Sequence, residues 1–597
     1  MTAPFGRRLC GVTDNRSSGG YRIFSLADRE GPAPRPGQFY MLAGERSWGE
    51  GSGRPFLPRA ISVAEAAPAK EGVRLDFLVE GVGPGTDRLC DLQAGERVWV
   101  TGPLGNSFAT PKQVNRDAAG AILVGGGIGI APLAIWRRHL AEQGIPLRVL
   151  LGFRDQRHSG GLTELFCSGD NLCPDVRLAS EDGHAGHQGY VTDLLATMLV
   201  GDDAASAVVY SCGPSGMLEA VAGLCESAGA AYQLAEESPM ACGFGACYGC
   251  AVPKLGGGYL RLCVDGPVVS GPAGPVPDLA PASLSGWSPK SAPPPGRNGD
   301  HGRARKVAFC GIQLEHPVIN ASGTYDAIAA RRVFGEELLE DFPFSAFVSK
   351  TITPEPRAGN EPQRIWETPA GMLNSIGLPN KGLAGFLAED LPQLAELPVP
   401  LVVSVMATNH VDFSRLVVAV GARDEVAAIE LNVSCPNVHS GLIVGEQPAE
   451  TEALLEALRP LTEKPLIVKL TPNVAAPEAV ALAAEAGGAD AVSLINTLKA
   501  SALDPITGEP ALAAGHGGLS GPAVRPIALQ QLRAVVAATE IPAVGMGGIG
   551  SGSDAAEFLA AGARLVAVGT ESFRDPKAGS RVANELETAM YRMQSPV

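Results

Sequence analysis

Apolar and polar positions follow two rhythms along this chain. Up to about residue 115, short runs alternate between the two types, as in Val73-Arg-Leu-Asp-Phe-Leu-Val79 and Arg97-Val-Trp-Val-Thr101, with Gly/Pro turns between them. A period of two broken by frequent turns predicts a small antiparallel β-barrel. Beyond that point the apolar runs lengthen: Ala121-Ile-Leu-Val124, Leu147-Arg-Val-Leu-Leu-Gly152 and Ala207-Val-Val-Tyr-Ser211. A glycine turn and a helical stretch join the first two, which predicts a βαβ unit. From residue 307 onward strand and helix repeat to the end. Strands are expected to finish near Lys350, Met406, Asn432, Leu470, Asn496, Met546 and Gly569, with alanine-rich helical segments such as 475–486 between several of them. About 290 residues in this rhythm is the size of a (β/α)8 barrel. A doubly wound open sheet is the competing fold, but seven or eight such units favour the barrel.

Between these halves, Gly271 to about Lys306 is rich in Pro, Gly and Ser and too poor in apolar residues to fold alone. As a flexible linker it would span roughly 30–35 Å. The full chain of 597 residues is too long for one core. The net charge of −16 and the absence of a basic face argue against nucleic acid as a partner. The basic N-terminus is not followed by an apolar run of signal-peptide length, and no apolar segment reaches the ~18 residues of a membrane span. A soluble, cytoplasmic protein is therefore expected.

The twelve cysteines are not a disulfide framework in a chain this long. Eight are scattered singly, whereas Cys242, Cys247 and Cys250 have C-x4-C-x2-C spacing and Cys263 follows after twelve residues. This spacing is that of a plant-type ferredoxin loop, which predicts a [2Fe–2S] cluster. A structural zinc site is the alternative, but zinc sites more often pair two short C-x2–4-C knuckles. The small residues Gly243, Gly245, Ala246 and Gly249 give the backbone freedom that a tight cluster loop needs.

Further along, Glu430-Leu-Asn-Val-Ser-Cys-Pro-Asn437 follows a short apolar stretch and reads as a barrel strand opening into a loop. Asn432 and Asn437 flank Cys435, so two amides could hold a planar polar ring while the thiol takes a proton from carbon. A buried structural cysteine is the plainer reading of Cys435. Lys350 and Lys469 each close an otherwise apolar strand, where a lysine is costly unless it meets an anion or a polarisable ring. Gly547-Gly548 and Gly569-Thr570 follow the last strands, where this fold commonly builds a phosphate site. In the first half, Gly125, Gly126, Gly127 and Gly129 form a turn between strand and helix that can bring a pyrophosphate to backbone amides. A glycine turn that merely packs is common. Together with Cys212-Gly-Pro-Ser-Gly-Met217, the turn resembles the nicotinamide half of ferredoxin-reductase-like enzymes.

With these residues assembled, the chain resembles class 1B dihydroorotate dehydrogenase with its electron-transfer and catalytic subunits fused. The motifs that carry the resemblance are Ala321-Ser-Gly-Thr324, Ser349-Lys-Thr-Ile-Thr353, Glu367 to Leu378, Asn432 to Asn437, Val468 to Asn473, Asn496-Thr497 and Gly517 to Pro522. It implies an FAD-binding β-barrel over 1–110, an NAD-binding α/β domain over 111–233, a [2Fe–2S] domain over 234–270, a linker over 271–306 and an FMN-binding TIM barrel over 307–597. Cys435 would be the base that removes the C5 proton of dihydroorotate, with Lys350 as its catalytic partner. Lys350, Asn374, Ser375, Ile376, Gly377, Leu378, Asn432, Asn437, Asn496 and Thr497 would hold the pyrimidine and its carboxylate. FMN would lie against Ser322, Gly323, Lys350, Thr351, Ser404, Asn432, Lys469, Ile495, Gly521, Gly547, Gly548, Gly569 and Thr570. FAD would meet Arg59, Ala60, Ile61, Ser62, Gly85 and Thr86. NAD would meet the glycines of the 125–129 turn. The resemblance further implies NAD+ as acceptor, a place in pyrimidine synthesis and a homodimer formed through the barrel.

Several positions depart from the family pattern. Ser404 stands where relatives often carry a flavin-contacting asparagine, and Ala60 replaces a usual proline. Glu80 falls where a basic residue often faces FAD, and the 438–444 loop differs from the lysine- and glycine-rich version expected. Two other functions are consistent with parts of the chain: a dihydropyrimidine dehydrogenase with a similar cysteine loop, and a non-catalytic electron carrier or scaffold.

Overall fold

A computed structural model describes residues 2–46, 48–49, 53–161, 165–168, 171–173, 175–200, 206–254, 257–271, 306–433 and 444–594. Cys435, Asn437, positions 438–443 and most of the 271–306 segment lie outside the described residues. The chain divides into two compact units. The first comprises 1–48, 58–244 and 260–292, and the second comprises 49–57, 245–259 and 293–597.

The first unit opens with six strands: β1 (Arg8–Ser18), β2 (Tyr21–Asp28), β3 (Phe39–Gly44), β4 (Arg59–Pro68), β5 (Val73–Val79) and β6 (Arg97–Leu104). They close into an antiparallel barrel in the order β1-β2-β5-β4-β3-β6. On β5, Val73, Leu75, Phe77 and Val79 enter the barrel core; on the opposite face Arg74 is exposed, but Asp76 is buried and Leu78 packs into a second apolar cluster. Barrel closure also buries an ion pair. Arg8 Nε donates to Asp28 Oδ1 at 2.8 Å, and the Gly31 N–H donates to the same oxygen at 2.9 Å. Burial opposes the Asp28 charge, but the Arg8 hydrogen bond and charge hold the carboxyl below its usual pKa.

A second sheet follows in the same unit. Its strands are β7 (Gly120–Gly126), β8 (Leu147–Phe153), β9 (Val176–Ser180), β10 (His187–Gln188), β11 (Ala207–Cys212), β12 (Tyr232–Ala235) and β13 (Val268–Ser270). The order is β10-β9-β8-β7-β11-β12-β13, parallel except for the edge strand β13. Helix α1 (Ile130–Glu142) leaves the glycine turn that ends β7 and buries Trp136 against Phe108 and Tyr210.

The second unit is built on eight parallel strands: β14 (Val318–Asn320), β15 (Phe347–Val348), β16 (Leu401–Val405), β17 (Val426–Asn432), β18 (Leu466–Lys469), β19 (Ala491–Leu494), β20 (Ala543–Met546) and β21 (Leu565–Val568). Their order, β14-β21-β20-β19-β18-β17-β16-β15, is that of a (β/α)8 barrel. The two ends of this sheet meet through a side chain. Asn320 is fully buried, its Nδ2 donates to the Val348 carbonyl at 2.8 Å, and its Oδ1 accepts from the Val348 N–H at 2.8 Å. The amide thus supplies both halves of a ladder rung between β14 and β15. A hairpin, Val307–Phe309 and Ile312–Leu314, adds Phe309 and Leu314 to the apolar barrel interior. The polar residues collect at the C-terminal ends of the strands. Among the described residues no helix is long and apolar enough to cross a membrane.

Candidate functional site

The strand ends of the barrel open into a cavity whose wall is polar at named points. Lys350 follows β15, Asn432 and Lys469 close β17 and β18, and Asn496 follows β19. Of the predicted substrate residues, Lys350, Asn374, Ile376, Gly377, Leu378, Asn432, Asn496 and Thr497 face this cavity. Ser375 is buried behind the wall and accepts from Asn360 Nδ2 at 2.9 Å. Of the predicted FMN residues, Ser322, Gly323, Thr351, Lys469, Ile495, Gly521, Gly547, Gly548, Gly569 and Thr570 face the same space. The structure therefore gathers residues from seven strand ends around one cavity.

Ser404 stands one layer back, and its position reveals how the amides are held. Its hydroxyl donates to Glu430 Oε1 at 3.1 Å, while Ser493 donates to Glu430 Oε2 at 3.1 Å. With the Ser404 proton committed, Thr351 Oγ1 donates to Ser404 Oγ at 2.9 Å, and Asn432 Nδ2 donates to Thr351 Oγ1 at 3.1 Å. Asn496 Nδ2 then donates to Asn432 Oδ1 at 3.4 Å. A buried carboxylate thus orders a chain of donors that fixes the Asn432 amide at the cavity wall.

Both lysines have fixed positions. Lys469 is 3% exposed, with Nζ 3.4 Å from Ser322 Oγ. Lys350 Nζ donates to the carbonyls of Ala246 at 2.8 Å and Gly323 at 3.3 Å, and lies 4.3 Å from the centre of the Tyr248 ring. The glycines have different reasons to be glycine, close contact at Gly548 and a positive φ at Gly323. A Cβ at Gly548 would lie 2.8 Å from Arg525 Cβ and 2.9 Å from the Gly521 carbonyl, and one at Gly323 (φ 76°) would project into open space. This lining suits a flavin mononucleotide: glycine turns for the phosphate, and lysines and amides for the ring.

Two segments from the first half of the sequence also contribute to this wall. Phe56 and Cys247 both line the cavity. Phe56 is held where Glu367 Oε1 accepts from the Phe56 and Leu57 N–H groups at 2.7 and 2.6 Å, with the Arg574 guanidinium 4.9 Å over its ring. Arg364 is 1% exposed and stacks 4.4 Å from the Tyr259 ring, with burial pulling its pKa down.

The four cysteines of the predicted cluster, Cys242, Cys247, Cys250 and Cys263, are each buried. The loop has the conformational freedom expected of it: Gly243 and Gly245 have φ of 78° and 88°, and Tyr248 adopts φ 59°. The Gly249 N–H points at Cys247 Sγ at 3.3 Å, the kind of bond that stabilises cluster sulfurs. Among the described residues no group of three or more His, Cys, Asp or Glu side chains forms a metal-holding set. The ligand assignment therefore rests on the spacing, the burial and this N–H···S bond.

In the first unit, a separate cavity forms beside the glycine turn. Gly126, Gly127 and Gly129 line it, together with Tyr21, Glu80, Arg154, His158, Glu181, Gly213, Met217 and Glu237. The glycines divide in role. A Cβ at Gly129 would sit 2.5 Å from the Cys212 carbonyl oxygen, and one at Gly126 2.5 Å from Met217 Sδ, so these positions are needed for packing. Gly127 has φ 55° and an open approach, which leaves its backbone free to meet a ligand. Gly125 is buried beneath the turn, against Leu151 and Leu133. Burial pushes the Glu237 carboxyl up in pKa. Glu80 Oε1 lies 3.4 Å from His158 Nε2. The predicted FAD motifs also come together: the Arg59 guanidinium lies against Gly85, where any Cβ would overlap it, and Thr86 Oγ1 accepts from the Val82 N–H at 3.0 Å. Ala60 is exposed, and Ile61 and Ser62 are half-buried.

Phe56, Glu181, Glu237 and His158 were not singled out from the sequence. Phe56 sits in a Gly/Pro loop with no periodic signal. Glu181 sits just past the end of β9, where an acidic residue after a strand could have been suspected.

A (β/α)8 barrel with lysines and amides at its strand ends, in one chain with a glycine-turn nucleotide fold, defines a multidomain oxidoreductase. Residues 304–590 match the family described as Dihydroorotate dehydrogenase. Residues 237–273 match the iron–sulfur cluster binding domain of dihydroorotate dehydrogenase B, and 123–223 the oxidoreductase NAD-binding domain. The chain is 46% identical over 285 residues to the dihydroorotate dehydrogenase B (NAD(+)) catalytic subunit of Desulforudis audaxviator, covering 47% of this chain and 91% of that one. The same-named subunit of Listeria monocytogenes is 41% identical over 288 residues, covering 48% and 92%. A relative from Solibacter usitatus, 45% identical over 287 residues and covering 48% and 93%, bears a dihydroorotate dehydrogenase A (fumarate) name. This chain belongs to the dihydroorotate dehydrogenase family.

Proposed function

We propose that this chain oxidises (S)-dihydroorotate to orotate and delivers the electrons to NAD+, in pyrimidine synthesis, as a cytoplasmic homodimer paired through its barrels. The observation that carries this reading is the convergence of Lys350, Lys469 and the amides of Asn374, Asn432 and Asn496 on one cavity at the barrel strand ends. An anionic, amide-bearing ring meets there a cation for its carboxylate and amides for its ring carbonyls and N–H groups. Residues 1–110 would then bind FAD, 111–233 NAD, and 234–270 a [2Fe–2S] cluster on Cys242, Cys247, Cys250 and Cys263. The segment 271–306 would link these to an FMN-binding barrel over 307–597. When bound, FMN would supply a hydride acceptor, the cluster a one-electron relay and FAD a hydride donor to the nicotinamide.

The chain's own residues do the rest. Asn432, fixed by the Thr351–Ser404–Glu430 chain, would hold the pyrimidine through its amide. Cys435 Sγ takes the C5 proton; a free thiol has a pKa of about 8.5 and is a workable base near neutral pH. Phe56 and Met372 add apolar wall that keeps water from the reacting face. In the first unit, Glu181 and Glu237 give the second cavity an acidic lining. That lining suits a ribose hydroxyl and opposes a 2′-phosphate, which favours NAD+ over NADP+.

The test is NADH formation by the reconstituted chain with dihydroorotate, compared with the Cys435→Ala variant. Turnover should fall by about 10²–10⁴-fold in the variant while orotate binding persists. Turnover of dihydrouracil in place of dihydroorotate would instead support a dihydropyrimidine dehydrogenase. Orotate binding without any turnover by the unaltered chain would support a non-catalytic carrier.

A further inference from the structure

Tyr248 belongs to the cysteine loop, and it packs against Lys350, a residue of the barrel cavity's wall. Its ring face lies 4.3 Å from Lys350 Nζ, and the carbonyl of Ala246, two residues earlier, accepts from the same ammonium at 2.8 Å. The ring is itself fixed. Its hydroxyl donates to Asp326 Oδ2 at 3.1 Å, and Asp326 is held in turn as the N-cap of the helix Ala327–Phe334, where Oδ1 accepts from the Ala329 N–H at 2.9 Å. The backbone at Tyr248 has φ 59°, a conformation that side-chain-bearing residues seldom adopt, so the ring direction is specified by the loop. Cys247, the neighbouring residue, faces the same cavity as Lys350.

A lysine at a cavity wall gives up part of its hydration and has many rotamers to choose from. An aromatic face and two carbonyls compensate for the lost water and select one position for Nζ. We propose that Tyr248 is a positioning residue for Lys350: the iron–sulfur loop aims the lysine that receives the substrate carboxylate, so substrate affinity in the barrel depends on a side chain from the electron-carrier module. This rests on the dihydroorotate reading given above. It goes beyond that reading in giving the carrier loop a part in substrate binding as well as in electron transfer.

The ring face and the hydroxyl can be separated by substitution. Tyr248→Phe keeps the face and loses the Asp326 bond, whereas Tyr248→Leu loses both. The dissociation constant for orotate, read from the flavin absorbance change in the full chain, should stay within about twofold for Tyr248→Phe and weaken roughly 3- to 30-fold for Tyr248→Leu. The KM for dihydroorotate with a dye acceptor should follow the same order. The KM for NAD+ and the iron and sulfide content should not. If Tyr248→Leu loses iron, the comparison is made with Cys263→Ser, which removes a cluster ligand and keeps the ring. Weaker orotate binding in the Leu variant than in that control supports the inference. Equal orotate binding in the unaltered, Phe and Leu chains overturns the inference alone. Failure of the unaltered chain to bind orotate overturns the dihydroorotate reading and the inference with it.

Discussion

The cavity at the barrel mouth and the cavity beside the glycine turn differ in how they hold charge. The barrel cavity carries Lys350 and Lys469 among amides and glycine turns, and the one acid in its lining among the described residues, Glu571, is paired with Arg574 and Arg581 at 2.8 Å each. The cavity of the first unit carries Glu80, Glu181 and Glu237 beside its glycine turn, with Arg154 engaged by His158 at 3.1 Å and by Asp155 at 3.4 Å. Both use glycine for close backbone approach, so that feature alone does not tell them apart. The side chains around the glycines do. Fixed cations at the barrel mouth suit a flavin phosphate and a substrate carboxylate, whereas acids suit the hydroxyls of a dinucleotide ribose. The lesson is that in a chain with several nucleotide-sized sites, the sign of the wall is more informative than the turn.

Breaking one wall should leave the other cavity's work intact. Lys469→Met removes the 3%-exposed barrel cation. Dihydroorotate-dependent turnover should fall by about 10²–10³-fold, on the scale of removing one fixed electrostatic group from a site. NADH-dependent reduction of a dye, which would draw on the first unit, should remain within about twofold of normal. A parallel loss of both activities would show that the two cavities do not act separately. Next in size, Asn320→Leu removes the amide that joins β14 to β15 and leaves the Val348 N–H and carbonyl buried without it. Unfolding of the barrel by urea should shift by about 2–4 kcal/mol, with little change at the first unit. Glu181→Ala should raise the KM for NAD+ about tenfold and narrow the discrimination against NADP+. If the selectivity is unchanged, the acidic wall does not read the ribose.

The smallest effect concerns pH. Burial pushes the His316 imidazole down from 6.5 to about 4, although Glu315 opposes this, and its Nδ1 accepts from the Val318 N–H at 3.2 Å. Because the folded pKa is lowered, the unfolded chain binds more protons between these values. The stabilisation is therefore fully present above pH 6.5 and is lost as pH falls toward 4. A His316→Asn variant should show a flatter thermal midpoint over that window, and an unchanged slope would remove His316 from the account.

Much of this architecture was legible in the chain because the two periods differ. Alternation over Val73–Val79 marked a strand whose apolar face fills the barrel core, although its other face is also largely covered, and the runs ending near Lys350, Asn432 and Met546 marked strands buried on both sides. The first barrel strand, Val318–Asn320, escaped notice because three residues give no measurable period, and its closure depends on a side chain. Most predicted site residues share the barrel cavity because each sits at a strand end, a position fixed by local sequence. Phe56 and the Tyr248–Lys350 contact were not legible, since both depend on segments far apart in the chain. Ser404 was expected to meet the flavin directly, but the structure places it behind Thr351, where β16 and β17 set its register.

The central claim, that one chain carries electrons from a dihydropyrimidine in the barrel to a dinucleotide in the first unit, is tested most directly by an anaerobic sequence of additions. Dihydroorotate is added to the reconstituted chain while flavin and iron–sulfur absorbance are followed, and NAD+ is then added. The account predicts bleaching of both signals, followed by their recovery as NADH appears. Loss of the flavin signal with no change in the iron–sulfur signal and no NADH would contradict it.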